Sequence, residues 1–175
     1  MKHRVRGRRP GLTLAELLVV ITIITISVTL ILPVVINLAR TRRVKSGARE
    51  IQAKLHGARA FAIAQRAPFA LRLYEVPQEE ADAPQARFAC LIIDQADTAA
   101  AREEVELLPM GLRVLVYHSG DTTPRPMPQR IRFRPDGTVD PSLATPVRIF
   151  LVNADDSTET TDITVRRTGT IDVSD

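Results

Sequence analysis

Glu16 is the residue whose position most clearly requires a chemical partner. It is the one charged residue in residues 12–32, a run of 21 residues of which 15 are apolar. An ionised carboxylate inside lipid costs on the order of a few kcal/mol unless a cation pairs with it. A free α-amine at Leu12, which cleavage after Gly11 would expose, would be such a cation. The alternative is that Glu16, near one end of the run, reaches the polar headgroups.

The apolar run has the length of a membrane span. At about 1.5 Å per residue, a helix of this length reaches about 30 Å, the thickness of a bilayer core. A secretory signal peptide is the nearest alternative because residues 1–11 are basic, but the run is longer than a usual signal core and no small-residue cleavage site follows it. We therefore expect residues 12–33 to be a transmembrane helix that the protein keeps.

The basic character of the chain lies in its first residues. Residues 1–11 contain five Lys and Arg and no acid, so of the net charge of +4 on 175 residues, residues 12–175 carry −1. This distribution indicates a short basic leader rather than the basic surface of a nucleic-acid-binding domain. A single cysteine, Cys90, excludes an intramolecular disulfide and a multi-cysteine metal site.

No residue pattern indicates a catalytic, cofactor or metal site. His56 and His118 have no partners at a catalytic spacing, and Cys90 is interpreted as a core residue of a strand. The acidic loop at residues 155–162 could gather oxygen ligands for Ca²⁺, but no fixed motif matches, and a solvated loop is the preferred interpretation. We expect a protein that is not an enzyme and that needs no cofactor.

The N-terminal pattern is similar to the class III prepilin signal of type IV pilins and type II secretion pseudopilins. A basic leader ends at Gly11, Leu12 follows, Glu16 is the acidic residue, and Pro33 closes the apolar run. The departure is Leu12, where Phe is usual in the family. The resemblance implies that a prepilin peptidase cleaves residues 1–11 from the chain between Gly11 and Leu12 and methylates the new amine of Leu12. It also implies that Glu16 and Pro33 act in assembly.

The same resemblance implies partners and a location. The prepilin peptidase would act first, and other pilins or pseudopilins would then bind through the N-terminal helix with the help of an inner-membrane assembly platform. The protein would cross the inner membrane once, with its N-terminus in the cytoplasm and its C-terminal part in the periplasm.

Beyond Pro33, apolar residues recur at steps of three and four, which is the spacing of one face of an amphipathic helix. Pro33 removes one backbone donor and should bend or loosen the helix, and Pro68 should end it. We expect residues 34–66 to continue the helix and to bury one apolar stripe, which comprises Val44, Ala48, Ile51, Leu55, Ala58 and Ala62.

From residue 67 the apolar pattern changes to a period of two, which is typical of strands. Turn sequences lie at residues 134–137 and 167–170. The predicted fold class is α+β, with a long N-terminal helix packed on an antiparallel β-sheet head at residues 67–175, and the resemblance implies two sheets. The predicted strands are residues 69–74, 87–93, 112–117, 130–134, 147–152, 163–167 and 170–173.

Residues 43–73 and 131–137 resemble the GspH/FimT type of minor pseudopilin. That resemblance implies a structural subunit of the pseudopilus of a type II secretion-like system, acting in protein secretion. The alternative is a FimT-like minor pilin of a type IV or competence pilus that binds DNA for uptake. Such a pilin needs a basic patch at its C-terminal hairpin. Here Arg166 and Arg167 are followed by Gly169-Thr170-Ile171-Asp172, so we expect no nucleic-acid partner. A third alternative is an unrelated single-pass membrane protein.

Overall fold

The computed structural model describes residues 14–76, 88–94, 105–154 and 159–174. Its first element is helix α1, Leu14–Gln65, which is 52 residues long. The predicted leader, with Gly11, and also Leu12 lie outside the described residues. The chain divides into two compact units, Met1–Ala39, here the N-terminal unit, and Arg40–Asp175, here the C-terminal unit.

The part of α1 in the N-terminal unit is apolar on every side. Its many β-branched residues are modest helix formers in water. A helix nevertheless satisfies the backbone hydrogen bonds within the segment, which is the condition for an apolar stretch to lie in lipid. The large apolar side chains from Leu14 to Leu38 keep between 42% and 83% of their surface exposed within the chain. The helix continues through Pro33, so the proline does not end it.

The part of α1 in the C-terminal unit buries one face only. All six residues of the predicted stripe, from Val44 to Ala62, are at most 2% exposed and join the main core. Gly47 and Gly57 allow the sheets to come close to the helix, because a Cβ at Gly47 would lie 2.6 Å from Cδ1 of Leu112. The prediction of an amphipathic helix in this region is confirmed.

Within the residues that the structure describes, eight strands form two antiparallel sheets that share the core with α1. The first sheet has the order β3-β2-β1-β5 and the second the order β4-β6-β7-β8. Because β5 returns to the first sheet between two strands of the second, the chain interleaves the two sheets. The predicted α+β fold with a helix on two antiparallel sheets is confirmed. The strands are β1 Phe69–Glu75, β2 Phe88–Asp94, β3 Glu106–Leu107, β4 Leu112–Tyr117, β5 Gln129–Phe133, β6 Val147–Asn153, β7 Thr160–Val165 and β8 Ile171–Ser174.

Two strands differ from the prediction by more than a one-residue shift of their bounds. Strand β3 was not predicted because two exposed residues carry no period, and only its pairing with Ala89 and Cys90 makes it a strand. Strand β7 was predicted to span residues 163–167, yet it begins at Thr160 and ends at Val165. Its first residues are polar, and pairing with β6 outweighs their low apolar content.

Two glycine turns hold the far ends of the sheets against α1. Gly137 and Gly169 have φ angles of 77° and 78°, a left-handed conformation that favours glycine. A Cβ at Gly169 would overlap the backbone carbonyl of Gly137. The Nε of Arg59, on α1, donates to that same carbonyl oxygen at 3.1 Å. The two turn sequences predicted near these glycines therefore meet each other at one point of the helix.

Candidate functional site

Glu16 lies in the first turn of α1, and its side chain is exposed. A carboxylate in the first turn interacts favourably with the partial positive charge of a helix N-terminus. The residues that follow it up to Val20 are all exposed apolar residues. The structure thus places the carboxylate at one end of an apolar helical surface that the chain itself does not cover, while its predicted partner, the Leu12 amine, lies outside the described residues.

The hydroxyl groups of this apolar surface are satisfied within the helix. They donate to carbonyl oxygens four residues earlier, at 2.7 to 2.9 Å, which removes most of the cost of placing them in an apolar medium. This segment of α1 is long and apolar enough to cross a membrane. The hydroxyl donors are Thr22, Thr25, Ser27 and Thr29.

Asp121 and His118 are close to each other but do not form a catalytic pair. The Asp121 carboxylate accepts from Nε and Nη2 of Arg125, at 2.7 and 3.1 Å, and from the backbone N–H of His118 at 2.9 Å. The hydrogen bonds from Arg125, and then from His118, lower the pKa of Asp121 to about 2. Burial, and then the charge of Arg125, lower the pKa of His118. The imidazole is therefore neutral at pH 7, and Asp121 organises the loop after β4.

Two arginines in or next to the second sheet pair with aspartates of a neighbouring strand. Arg148 on β6 pairs with Asp162 on β7 at 2.6 Å, and Arg166 pairs with Asp172 on β8 at 2.9 Å. The pairing of Arg166 lies in the hairpin where a DNA-binding pilin would need free cations.

The first sheet carries a basic cluster that the sequence analysis did not predict. Arg72 on β1 and Arg130 on β5 are directly opposite in the antiparallel register, and Arg132 is opposite Ala70. The three arginines lie on the side of the sheet opposite the main core, because Ile131 and Phe133, which alternate with them, are buried in that core. The same side carries a second, smaller buried cluster, which comprises Ala70, Leu91 and Ile93. The sequence signal of this cluster is the alternation of arginine with apolar residues at 130–134, and that alternation by itself predicts no more than a strand.

The remaining candidates show no site. Cys90 is buried in the main core, as predicted. His56 is an exposed residue on α1. Within the described parts of the chain, no three or more His, Cys, Asp and Glu residues group as metal ligands. Of the acidic loop, residues 155–158 lie outside the described residues.

Comparison with solved structures identifies the fold. Type IV minor pilin FimU from Pseudomonas aeruginosa is 16% identical, with 77% of this chain and 90% of that chain covered and a TM-score of 0.53. Minor pseudopilin EpsH of the type 2 secretion system of Vibrio cholerae is 17% identical, with 75% and 96% covered and a TM-score of 0.51. The chain has the fold of the minor pilins and pseudopilins.

No protein-family model and no curated protein sequence matches the chain. The pilin fold therefore rests on structure, and it agrees with the resemblance drawn from Gly11, Leu12, Glu16 and Pro33. Within this fold, the exposed apolar part of α1 is a surface that the described residues leave uncovered.

Proposed function

We propose that the protein is a minor pseudopilin, a non-enzymatic structural subunit of the pseudopilus of a type II secretion-like system. The observation that carries the proposal is the combination of a pilin fold with the exposed apolar segment of α1 that begins beside Glu16. A segment with apolar residues on all sides is stable in lipid or among other such helices, and an assembling pilin needs both environments.

Processing would convert the membrane form into the assembly form. A prepilin peptidase would cut between Gly11 and Leu12 and methylate the Leu12 amine, and residues 1–11 would be lost. The helix would cross the inner membrane once, with its N-terminus in the cytoplasm and the head in the periplasm. Pro33, inside α1, would mark the point where backbone bonding is weakened near the end of the apolar run.

Glu16 would act after insertion. Its carboxylate would bind the Leu12 amine of a neighbouring pilin-like subunit when an inner-membrane platform brings the two helices together. Ion pairs that form in an apolar medium depend on both partners, so one carboxylate per subunit would make each addition selective for a processed neighbour.

The DNA-binding pilin is the second candidate function, and the ion pair between Arg166 and Asp172 weighs against it. That pair leaves the C-terminal hairpin short of the several free cations that phosphate binding requires.

Intact mass spectrometry of the protein made with and without a prepilin peptidase tests the proposal. With the peptidase, the chain should begin at Leu12 and carry one added methyl group. A matched variant, Gly11→Leu, should remain uncut, since the peptidase would act at that glycine. A wild-type chain that keeps residues 1–11, or one cut after residue 32, would contradict the proposal.

A further inference from the structure

A group of basic residues directly follows the exposed apolar part of α1. The last large exposed apolar residue of the N-terminal unit is Leu38, and Arg40 begins the C-terminal unit. Residues 34–49 contain five Lys and Arg and no acid. The first four of these cations are here called the basic collar, which comprises Arg40, Arg42, Arg43 and Lys45.

The basic collar is accessible and is spread around the helix. Arg42, Arg43 and Lys45 are exposed, and Arg40 is half-buried. Because a helix turns by about 100° per residue, the four side chains leave α1 in different directions and not along one stripe. A protein that contacts one side of the helix would meet only some of them, whereas lipid headgroups surround a membrane helix on all sides.

The basic collar lies within reach of the headgroups of a bilayer that holds the apolar part of α1. The four residues from Leu38 to Arg42 span about 6 Å in a helix and at most about 14 Å in any conformation. Side chains of a helix lean toward its N-terminus, which here is the direction of the apolar part. The polar layer on each side of a bilayer core is about 5–8 Å thick, and long basic side chains extend to place their charges in it.

We propose that the basic collar binds the phosphate groups of anionic lipids at the membrane surface. This inference rests on the membrane anchor of the proposed function. Clusters of four or more Lys and Arg next to a membrane helix are attracted to anionic lipid, and each charge strengthens the binding by about fivefold. Guanidinium groups also pair well with phosphate oxygens. The contact holds the start of the C-terminal unit at the bilayer surface.

Photocrosslinking of the full chain in lipid vesicles tests the basic collar. The probes are phosphatidylglycerol, which is anionic, and phosphatidylcholine, which has no net charge. Each carries a photoreactive group in its headgroup and is a trace component of a phosphatidylcholine bilayer. Proteolysis and mass spectrometry measure the crosslinks in residues 38–50 relative to those in residues 1–11, a basic segment that the variants leave unchanged. In the wild type, the yield at residues 38–50 should be about twentyfold or more higher for phosphatidylglycerol, since several charges contribute.

The variants test which cations act. Arg42→Gln should lower the phosphatidylglycerol yield at residues 38–50 by about fivefold, and adding Lys45→Gln should bring it close to the phosphatidylcholine yield. Arg49→Gln is the matched control, because Arg49 is an exposed arginine two turns further along the same face of α1. It lies about 10 Å beyond Arg42, which is the screening length in 0.1 M salt, so its loss should change the yield less than about twofold.

A stability measurement excludes an indirect effect of the substitutions. The substituted residues Arg42, Lys45 and Arg49 are exposed, so every variant should keep its thermal midpoint within about 2 °C of the wild type, as followed by circular dichroism.

Two results would overturn the basic collar alone. Equal yields for the two lipids in the wild type, or equal losses in Arg42→Gln and Arg49→Gln, would show that it does not select anionic lipid at the membrane surface. Carbodiimide crosslinks between Lys45 and a carboxylate of another pilin-like subunit, with no phosphatidylglycerol crosslinks at residues 38–50, would assign it to a protein partner. Failure of the anchor is distinguishable, because a lipid with a photoreactive acyl chain should label residues 14–38 in every variant. Absence of that label would contradict the anchor and the basic collar together.

Discussion

The two parts of α1 belong to one helix but meet opposite conditions. Up to Ala39, the large apolar side chains lie on all sides of the helix and keep at least 42% of their surface exposed. From Arg40 onward, the stripe from Val44 to Ala62 is at most 2% exposed, and most of the charged residues lie on the other faces. The first part requires lipid or other apolar helices around it, which the chain itself does not provide. The second part packs in the core that the chain forms.

This difference shows that apolar content alone does not define a role. Leu30 is 70% exposed and Leu55 is fully buried, although both are leucines of the same helix. The two parts differ in how apolar residues are arranged around the helix. A single apolar face can be buried against one sheet or helix, whereas apolar residues on all sides require lipid or several helices.

The largest effect is expected from a charge in the buried stripe. Leu55→Asp should destabilise the C-terminal unit by more than about 4 kcal/mol, because it removes a core side chain and buries an unpaired carboxylate. Thermal unfolding of the full chain in detergent, followed by circular dichroism, measures the change. Leu30→Asp is the matched control and should leave the unfolding midpoint unchanged while weakening membrane retention. An equal loss of stability in both variants would remove the distinction between the two parts.

The next largest effect is expected at Glu16, in the exposed apolar part of α1, where a substitution should change assembly and not stability. Glu16→Ala and Glu16→Gln should insert, be processed and keep a stable C-terminal unit. Each should reduce crosslinking to other pilin-like subunits in membranes about a hundredfold or more, since loss of one partner of a buried ion pair costs about 3–5 kcal/mol. Glu16→Asp should keep part of the crosslinking. Normal crosslinking by the Ala and Gln variants would favour the alternative in which Glu16 only reaches the headgroups.

A smaller effect distinguishes two glycines within the buried part. At Gly47, a Cβ would lie 2.6 Å from Leu112 and 3.1 Å from Leu151, whereas at Gly57 the nearest atom is Cδ1 of Ile92 at 3.1 Å. Alanine gains about 1 kcal/mol of helix propensity over glycine, but crowding a core costs about 1–3 kcal/mol. Gly47→Ala should therefore lose about 1 kcal/mol, and Gly57→Ala should stay within about 0.5 kcal/mol of the wild type. Urea denaturation checks both, and a Gly47→Ala chain as stable as the wild type would show that Leu112 has room to move.

The smallest effect is expected at Glu50, a second carboxylate of α1, which lies in the part that packs on the sheets. Burial, and then repulsion from Glu106, raise the pKa of Glu50, although a hydrogen bond with Ser46 opposes the rise. The folded state thus favours protonated Glu50, and this contribution to stability is present below the ordinary pKa of 4.5 and is lost as pH rises through the folded pKa. Glu50→Gln should raise the thermal midpoint at pH 7 by about 1–2 °C and change it less at pH 4. An identical shift at both pH values would mean that ionisation of Glu50 plays no part.

Local patterns were sufficient to predict much of the fold. The stripe from Val44 to Ala62 follows from helical spacing, and strands such as Val147–Asn153 follow from short runs rich in β-branched and other apolar residues. Strand β3 could not be predicted in this way, because its two residues are defined by a partner strand. The start of β7 was missed for the same reason, since cross-strand pairing rather than its own composition holds Thr160 in the sheet.

The candidate sites also differ in how far a local sequence pattern can predict them. Gly11, Leu12, Glu16 and Pro33 lie in one continuous segment, so their resemblance to the class III prepilin signal is visible without the structure, and that resemblance implies an assembly helix. The basic cluster joins Arg72 to Arg130 through the register of β1 with β5, and neither residue is unusual until that register is known. A register between strands so far apart depends on the whole core, which no local pattern contains.

The contact of the two glycine turns with Arg59 can form only after most of the strands have been synthesised. It joins Arg59 to Gly137, 78 positions further along the chain, and the turn at Gly169 follows later still. For a chain anchored by its first helix, as proposed, the stripe on α1 reaches the far side of the membrane long before the strands that cover it. Until those strands are added, the stripe is an exposed apolar surface, and such surfaces are prone to aggregation. Removal of β8 would take Ile171 out of the core and leave part of the interior uncovered.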